Sequence, residues 1–364
     1  MANVPIKMNC KYKVKFFDPG RDYLRFEKEY DSAWKRINKE GKLILQEDVQ
    51  IFEENLAQYI GTRFAVGLNS GTDAIYLSVK ALGIKGGVAL PSHTFKSTCG
   101  AVINAGAIPI VYDLNGIVNE LTEAHIPVHI AGELSPISDL GIPVIEDSCQ
   151  AFGAIKNPTT SVQCWSFYPA KILGAKGDAG AITTNDYSIY EYVKEARNHF
   201  KSDNRDFGIN SRMDNLQAAL LNIKIQHIDE ILNRRKEIAE KYLKELNGIV
   251  GLPNNQVGRV WQDFIVQIPE PRVCGGYLVD EICILGELHN KCGAKNRNAT
   301  YEFLKKNGIE TMKNEYSFSP EYPKLPLAAK YEAETLRIPC NEHLLDEEQN
   351  YVIAKIKQFY ANSL

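Results

Sequence analysis

A lysine in an unusual setting lies near the middle of the chain. The segment Cys164–Asp186 starts with an apolar, aromatic run that predicts a buried strand. A loop then carries Lys171, and glycines lead into a second apolar run, Gly180–Thr184. Burial at the end of a strand disfavours the ammonium form of a lysine and frees a nucleophilic amine. Such an amine forms a Schiff base with an aldehyde, and pyridoxal 5′-phosphate (PLP) is the common biological aldehyde in that role.

Lys171 by itself does not decide between this chemistry and an ordinary solvated loop lysine, because most lysines lie on protein surfaces. The nearby Lys176 is interpreted in the ordinary way. PLP chemistry needs three more parts from the protein: a carboxylate beside the pyridine nitrogen, an aromatic ring against the cofactor, and donors for the phosphate. The rest of the chain decides whether these parts are present.

A carboxylate and an aromatic ring are both available at predicted strand ends. Asp147 ends the apolar run Ile142–Asp147, where an unpaired anion would be costly, so we expect a cationic partner for it. Its alternative role is an N-cap for the segment that follows. Phe95 follows another apolar run and is the candidate stacking ring, although a core aromatic fits the sequence at least as well.

A turn suited to phosphate lies between a predicted strand, Phe64–Leu68, and a predicted helix. The turn Asn69–Thr72 is small and polar, and it leaves backbone N–H groups free at the helix N-terminus, where anions bind. An ordinary N-cap by Ser70 or Thr72 with no ligand is an equally good interpretation. The candidate phosphate ligands are Gly71, Thr72 and Ser166.

The order of elements predicts an α/β fold. Strands alternate with helices as far as about residue 220, which is typical of a mostly parallel sheet covered by helices on both faces. Sites in such sheets collect at the carboxyl ends of the strands. The helical stretch Lys224–Leu246 then leads to a smaller α+β unit. We predict an N-terminal arm and large PLP-binding domain over residues 1–248 and a small C-terminal domain over residues 249–364.

Composition excludes several classes of protein. The 364 residues carry a net charge of −3 without a long basic run, so we expect no nucleic-acid partner. No apolar stretch approaches the roughly 20 residues of a membrane span, and the N-terminus lacks a signal-peptide pattern. The eight cysteines are scattered, as in a cytoplasmic protein with free thiols. The histidines show no metal-binding spacing, because Pro127 interrupts the one helical pair, His125 and His129.

Taken together, the motifs resemble the DegT/StrS-type nucleotide-sugar aminotransferases, a branch of the fold-type I PLP enzymes. The ordered set covers about residues 15–265 densely, and each motif alone is weak. The matching segments are Phe52-Glu-Glu, Asn69-Ser-Gly-Thr-Asp-Ala74, His93-Thr-Phe95, Val144-Ile-Glu-Asp-Ser-Cys-Gln-Ala-Phe-Gly-Ala154, Ser166-Phe-Tyr-Pro-Ala-Lys-Ile-Leu-Gly174, Gly177-Asp-Ala-Gly180, Arg197-Asn-His199 and Gly208-Ile-Asn-Ser-Arg-Met-Asp-Asn-Leu-Gln-Ala-Ala219.

The resemblance implies a role for each candidate residue and a homodimer with shared active sites. Relatives with histidine in place of the lysine are dehydratases, so Lys171 favours transamination. The implied roles are Lys171 as Schiff-base lysine and proton carrier, Asp147 at the pyridine nitrogen, Gln150 at the ring hydroxyl, Phe95 stacked on the ring, Gly71, Thr72 and Ser166 at the phosphate, and Asn210 at the phosphate of the neighbouring subunit.

The expected reaction moves an amino group from a donor such as glutamate to a keto group on a nucleotide-linked deoxysugar. Three alternatives stay open: a regulatory relative that keeps PLP, an enzyme for a sugar without a nucleotide, and a Rossmann-like phosphate-binding protein. Departures from the family pattern concern the substrate. Gln262 replaces a frequent histidine, the loop Lys313–Pro326 diverges, and Pro271–Lys295 resembles an insertion.

Overall fold

The fold is taken from a computed structural model that describes residues 12–114, 116, 122–137, 139–202, 206–268, 296–316 and 325–361. The interpreted insertion Pro271–Lys295 and residues 317–324 of the divergent loop lie outside the described residues. The helices are α1 Pro19–Arg25, α2 Glu27–Glu40, α3 Glu47–Ile60, α4 Gly71–Ala81, α5 Lys96–Asn104, α6 Tyr187–Ala196, α7 Asn215–Ile225, α8 Ile228–Glu245, α9 Arg297–Lys306, α10 Pro326–Glu334 and α11 Asp346–Ala361. The strands are β1 Phe64–Leu68, β2 Gly87–Pro91, β3 Ile108–Tyr112, β4 Thr122–His125, β5 Ile145–Asp147, β6 Val162–Ser166, β7 Gly180–Thr184, β8 Phe264–Gln267, β9 Met312–Lys313 and β10 Thr335–Ile338.

The large sheet is mostly parallel, as predicted. Strands β3, β2 and β4 form one parallel group, and β5 pairs in parallel with β6. Isolated parallel bridges, His125 to Val144 and Val128 to Asp147, join the two groups. Strand β7 runs antiparallel to both of its neighbours, β6 and β1. The order of the large sheet is therefore β3-β2-β4-β5-β6-β7-β1. Among its described strands, only β7 runs in the opposite direction to the others.

Helices cover both faces of this sheet because successive strand residues point to opposite sides. Cys164 lies in a core that includes residues of α4, α5 and α6, whereas its neighbour Trp165 lies in a second core with residues of α3 and α7. Ile182 and Ala181 divide in the same way on β7. Strands buried on both faces read as continuous apolar runs, which is what the sequence shows.

The small domain is built on an antiparallel sheet, β8-β10-β9. Its core contains Leu336 and Ile338 of β10, Val352 of α11, and also Ile238 and Tyr242 of α8. Helix α8 thus contributes one face to the small-domain core. The boundary at residues 248 and 249 stays a prediction. Among the described residues, none of the helices combines the length and apolar character needed to cross a bilayer.

One predicted helix is divided in the structure, and another begins later than predicted. The helical spacing of apolar residues in Tyr23–Lys42 predicts a single helix, but the structure breaks it at Phe26, whose φ of −118° and ψ of 20° are not helical. The break allows Phe26 to pack with Tyr30 of α2 and Leu220 of α7 in one buried cluster. The predicted helical stretch Lys224–Leu246 is one helix, α8, except at its start, because α7 continues to Ile225 and α8 begins at Ile228.

Two predicted strands are displaced along the chain. The mostly apolar residues 126–130 predict a short strand, but the strand lies earlier, at Thr122–His125, since Pro127 has no N–H to donate to a ladder. The segment Ile309–Thr311, which follows Gly308, predicts another strand, but the strand there is β9, at Met312–Lys313. Ile309 instead forms a bridge with Val14 of the N-terminal arm, so this segment ties the arm to the small domain.

A buried ionic cluster joins the arm, the large domain and the small domain. Lys224 Nζ lies 2.8 Å from Asp22 Oδ1 and 3.6 Å from Glu342 Oε1. Arg235 Nη2 lies 2.7 Å from Glu342 Oε2. His343 Nε2 lies 3.4 Å from Asp22 Oδ1 and also 3.4 Å from Glu342 Oε1. Burial alone would raise the pKa of the Glu342 carboxyl, but the charges of Arg235 and Lys224 hold it well below its ordinary value. Burial alone would lower the pKa of His343, but the Asp22 and Glu342 carboxylates raise it.

The raised pKa of His343 predicts a pH-dependent contribution to stability. This contribution is fully present below the unfolded-state pKa of about 6.5 and is lost as the pH rises through the folded-state pKa. His343→Gln should therefore lower the free energy of unfolding by about 1–2 kcal/mol more at about pH 6 than at about pH 9. Urea unfolding at the two pH values measures this difference. The control is His227→Gln, at a half-exposed histidine, and an equal loss for His343→Gln at both pH values would show that His343 is not charged in the fold.

Candidate active site

A cavity of about 750 Å³ lies at the carboxyl ends of β2, β5 and β6. Residues of the small domain and Phe16 of the arm line its other side. The cavity brings together all but one of the predicted site residues, although they are far apart in the chain. Those residues are Gly71, Thr72, Phe95, Asp147, Gln150, Ser166 and Lys171.

The turn before α4 is pressed against the sheet. A Cβ atom added to Gly71 would lie 2.7 Å from Cys149 Sγ and 2.9 Å from Ser166 Cβ. A Cβ atom on Gly180, the first residue of β7, would lie 2.3 Å from the carbonyl carbon of Ser70 and 2.6 Å from the nitrogen of Gly71. Both positions therefore require glycine, because ordinary Cβ contacts are much longer than these.

The same turn offers free donors to an anion. Ser70 is the N-cap, and its Oγ accepts a hydrogen bond from Asp73 N at 3.1 Å, so the capping interpretation is correct for Ser70. No described residue accepts from the N–H groups of Gly71 and Thr72, which begin the helix. Ser166 Oγ accepts from Tyr168 N at 3.4 Å and keeps its own hydrogen to donate. The arrangement suits a phosphate group.

Asp147 is a buried carboxylate held by neutral donors. Its Oδ2 accepts from Thr98 Oγ1 at 2.8 Å, and its Oδ1 accepts from Cys149 N at 3.3 Å. Turns rather than a helix follow Asp147, so the alternative role as a helix N-cap is wrong. Among the described residues no cationic side chain forms an ion pair with this carboxylate, contrary to the expected partner. The buried charge can instead pair with a cation that enters the cavity, such as a protonated pyridine nitrogen. The residues present therefore fit PLP.

Lys171 is carried by a loop that folds back on itself. Phe167 N donates to Ala179 O at 2.8 Å, and Ala175 N donates to Phe167 O at 2.8 Å. A Cβ atom on Gly174 would lie 2.2 Å from Pro169 O, which shows how tight the loop is. The side chain of Lys171 is half-buried rather than fully buried, since it lies beyond the end of β6. No described residue forms a hydrogen bond or an ion pair with its amine, which is available to react.

The aromatic candidate is exposed to the cavity. Phe95 is 54% exposed, so the alternative role as a core aromatic is wrong. Its ring centroid lies 6.4 Å from that of Tyr316, which reaches the cavity from the small domain.

Gln150 is fixed between the domains, since its Oε1 accepts from Ala131 N at 2.8 Å and its Nε2 lies 3.4 Å from Tyr316 Oη. Its orientation leaves the predicted contact with a ring hydroxyl untested.

Asn210 lies outside this cavity and is exposed. It forms an antiparallel bridge with Asn198, and the adjacent Ser211 donates from Oγ to Asp73 Oδ2 at 2.7 Å. The exposed position is compatible with a contact to another subunit, which stays a prediction.

The neighbouring motif residue Arg197 has a structural role, because it forms an ion pair with Glu53 and donates to Gly67 O at 2.8 Å at the end of β1.

Sequence reasoning missed the residues that the small domain contributes. Arg337 of β10 lines the cavity, with Nη1 3.2 Å from Asp263 Oδ2 and its guanidinium 4.8 Å from the centroid of Tyr316. Tyr316 is buried, which raises the pKa of its phenol. A charge inside the apolar run Thr335–Ile338 was the one available signal for Arg337. Tyr316 lies in the loop Lys313–Pro326, which the sequence analysis connected with the substrate, but no pattern singled it out within that loop.

Known proteins resemble this chain over nearly its whole length. A pleiotropic regulatory protein of Geobacillus stearothermophilus is 30% identical, with coverage of 95% of this chain and 98% of the relative. A dTDP-3-amino-3,4,6-trideoxy-α-D-glucose transaminase of Streptomyces venezuelae is 29% identical, with coverage of 95% and 96%. The crystal structure of DesV from S. venezuelae, in complex with a ketimine intermediate, superposes with a TM-score of 0.82 at 28% identity and covers 95% of this chain and 98% of that one.

The family assignment follows from a match that spans most of the chain. Residues 25–357 match the model of the DegT/DnrJ/EryC1/StrS aminotransferase family. The predicted fold class and the expected PLP chemistry agree with this match. The chain belongs to the DegT/DnrJ/EryC1/StrS family of PLP-dependent sugar aminotransferases.

Proposed function

We propose that the protein transfers an amino group from an amino acid such as glutamate to the keto group of a nucleotide-linked deoxysugar. The observation that carries the proposal is the cavity in which the unengaged amine of Lys171, the buried carboxylate of Asp147 and the exposed ring of Phe95 meet. The name of the S. venezuelae relative supports a nucleotide sugar as the acceptor.

The site residues divide the work of holding the cofactor and moving a proton. The N–H groups of Gly71 and Thr72 and the hydroxyl of Ser166 would hold the phosphate, and Asp147 would face the pyridine nitrogen. When bound, PLP supplies an electron sink for negative charge on the substrate carbon. The Nζ atom of Lys171 would bind the cofactor at rest and, once free, would take the proton from the Cα atom of the donor. Phe95 would shield this face from water.

The shared site of a homodimer is part of the proposal. Asn210 is exposed and does not line the cavity of its own chain, and nearby Phe207 is 97% exposed, which is unusual for an apolar side chain. Burial of Phe207 against a second copy, with Asn210 at the phosphate of that copy, would account for both positions.

A regulatory role is the second candidate, and the name of the G. stearothermophilus relative favours it. The two candidates differ in turnover.

The test is a half-reaction assay in which the pyridoxamine form of the enzyme is mixed with a panel of dTDP-linked and UDP-linked keto-sugars and keto-sugar phosphates. Return of the PLP absorbance with a nucleotide-linked sugar supports the proposal. Return with the sugar phosphates alone would show that no nucleotide is needed, and no return with any acceptor would favour the regulatory role.

Lys171→Ala should abolish turnover, because the variant has no amine to bind the cofactor or to carry the proton. Absorbance at about 400–430 nm, expected of PLP bound to a lysine, should disappear, while the phosphate contacts still retain some cofactor. Borohydride reduction of the wild-type enzyme followed by peptide mass spectrometry should place PLP on Lys171 and not on Lys176. Normal turnover by the variant would refute the proposed mechanism.

Gly180→Ala should weaken PLP binding by at least about tenfold, because the new methyl group displaces the backbone of Ser70 and Gly71 and with it the phosphate donors. Equilibrium titration of the apoenzyme with PLP measures the effect. Gly100→Ala is the matched control, since an added Cβ there meets no atom within 4 Å. Unchanged affinity in Gly180→Ala would mean that the turn does not hold the phosphate.

A mixture of two inactive variants tests the shared site. Lys171→Ala and Asn210→Ala homodimers should each have little activity. Random exchange of subunits should restore about a quarter of the wild-type activity, because half of the dimers then contain one complete site of two. Dimerisation itself is measured by analytical ultracentrifugation. Recovery that stays at the level of the separate variants would show that Asn210 does not serve the neighbouring site.

A further inference from the structure

The side chain of Gln262 spans the loop that carries Lys171. Its Oε1 atom accepts a hydrogen bond from Ile172 N at 3.0 Å, and its Nε2 atom donates to Ala170 O at 2.9 Å. The two backbone groups flank Lys171 directly on either side. Gln262 is 8% exposed and also lines the cavity. A carboxamide can do this because it combines one acceptor and one donor in a single rigid plane.

The backbone of Gln262 is itself anchored. Arg235 donates from Nη1 to Trp261 O at 3.0 Å and to Gln262 O at 3.1 Å. The same guanidinium pairs with Glu342, which belongs to the buried ionic cluster. Beyond Gln262 the chain enters β8, which is paired with β10. Gln262 is therefore held in two ways. Arg235 of the ionic cluster binds its backbone, and the loop that carries Lys171 binds its side chain.

We propose that Gln262 is a positioning residue that keeps the amine of Lys171 pointed at the cofactor site. This inference rests on the proposed role of Lys171. The loop lies between the ends of β6 and β7, and within it Lys171 N donates to Tyr168 O at 2.8 Å. Without the two hydrogen bonds to Gln262, the N–H of Ile172 loses its partner, and only the hydrogen bond to Tyr168 O still restrains the peptide group before Lys171. The amine then samples more positions. Reaction rates are sensitive to such displacement, since the reacting atoms must meet within a narrow range of distances.

Three variants test the assignment. Gln262→Leu removes both hydrogen bonds, while Gln262→Glu keeps the acceptor for Ile172 N but places a carboxylate oxygen against Ala170 O. Gln349→Leu is the matched control, because Gln349 is also a buried glutamine that donates to a backbone carbonyl, Ile238 O, at 2.7 Å but lies outside the cavity. Each variant is first compared with the wild type by urea unfolding, so that loss of the fold is not taken for loss of position.

Two measurements follow on the variants that fold. Hydrogen exchange of the apoenzyme, read by mass spectrometry, should show faster exchange in the peptide containing Ile172 for Gln262→Leu and not for Gln349→Leu. In the holoenzyme, the rate constant of the glutamate half-reaction should fall about tenfold in Gln262→Leu, the effect of losing two ordinary hydrogen bonds, with little change in the glutamate concentration at half-saturation. Gln262→Glu should show the same fall in rate with Ile172 exchange closer to the wild type.

The outcomes separate this inference from the proposed function. Wild-type rates in Gln262→Leu, or equal losses in Gln262→Leu and Gln349→Leu, would overturn the positioning role while PLP trapping on Lys171 stayed intact. If borohydride trapped no PLP on Lys171 in the wild-type enzyme, the proposed function itself would fail, whatever Gln262 does. A rate loss confined to the Gln262 variants, with Lys171 still trapped, supports both.

Discussion

The candidate site is arranged around a buried negative charge at the end of β5. Asp147 is satisfied by a threonine hydroxyl and a backbone N–H, and no described cationic side chain neutralises it. A carboxylate in this position costs free energy unless a cation joins it or it takes up a proton. Under the proposed function, a positive ring nitrogen beside Asp147 would compensate this charge. Part of the binding energy of the cofactor would then come from a carboxylate that is hydrogen-bonded but lacks a cation in the protein alone.

Close backbone contact is the second requirement of the site. Gly71 and Gly180 bring the turn before α4 against the start of β7, where a larger residue would push the turn away from the sheet. The proposed phosphate donors are therefore placed by contact with the sheet. The proposed role of Lys171 asks for a fixed backbone with a free amine, because the side chain would leave and rejoin the cofactor. Hydrogen bonds to the backbone on both sides of the lysine leave its amine without a partner among the described residues.

The sequence was informative wherever a residue's role depends on a strand end. Asp147, Ser166 and the turn at Gly71 were predicted because apolar runs of strand length stop just before them, and parallel strands bring such ends to one edge. Long helices were predicted less well, since the break at Phe26 depends on packing against α7, which local periodicity does not contain. The burial of Lys171 was overestimated for the same kind of reason: its exposure is set by how the loop folds after β6.

The small-domain half of the site was predicted only in outline: the resemblance connected Gln262 and the loop Lys313–Pro326 with the substrate, and Gln262, Lys313 and Tyr316 line the cavity. Arg337 and Tyr316 reach the cavity only because two separately formed cores pack against each other, and their positions depend on that long-range contact. Gln262 was noticed as a substitution for histidine, but no pattern indicated that its carboxamide bridges two peptide groups beside Lys171. Side chains that contact backbone atoms of a distant loop leave no periodic pattern.

The reversed direction of β7 has a consequence for how this enzyme could change. Because β6 ends and β7 begins at the same rim, the segment between them leaves the sheet and returns to it on one side. Its conformation is set by local hydrogen bonds and by Gln262 rather than by a crossing of the sheet. Exchange of residues within that segment would leave the strand order intact. Phe167, Ile172 and Leu173 are fully buried in the core that contains Trp165, however, so such exchange is limited to exposed positions such as Tyr168.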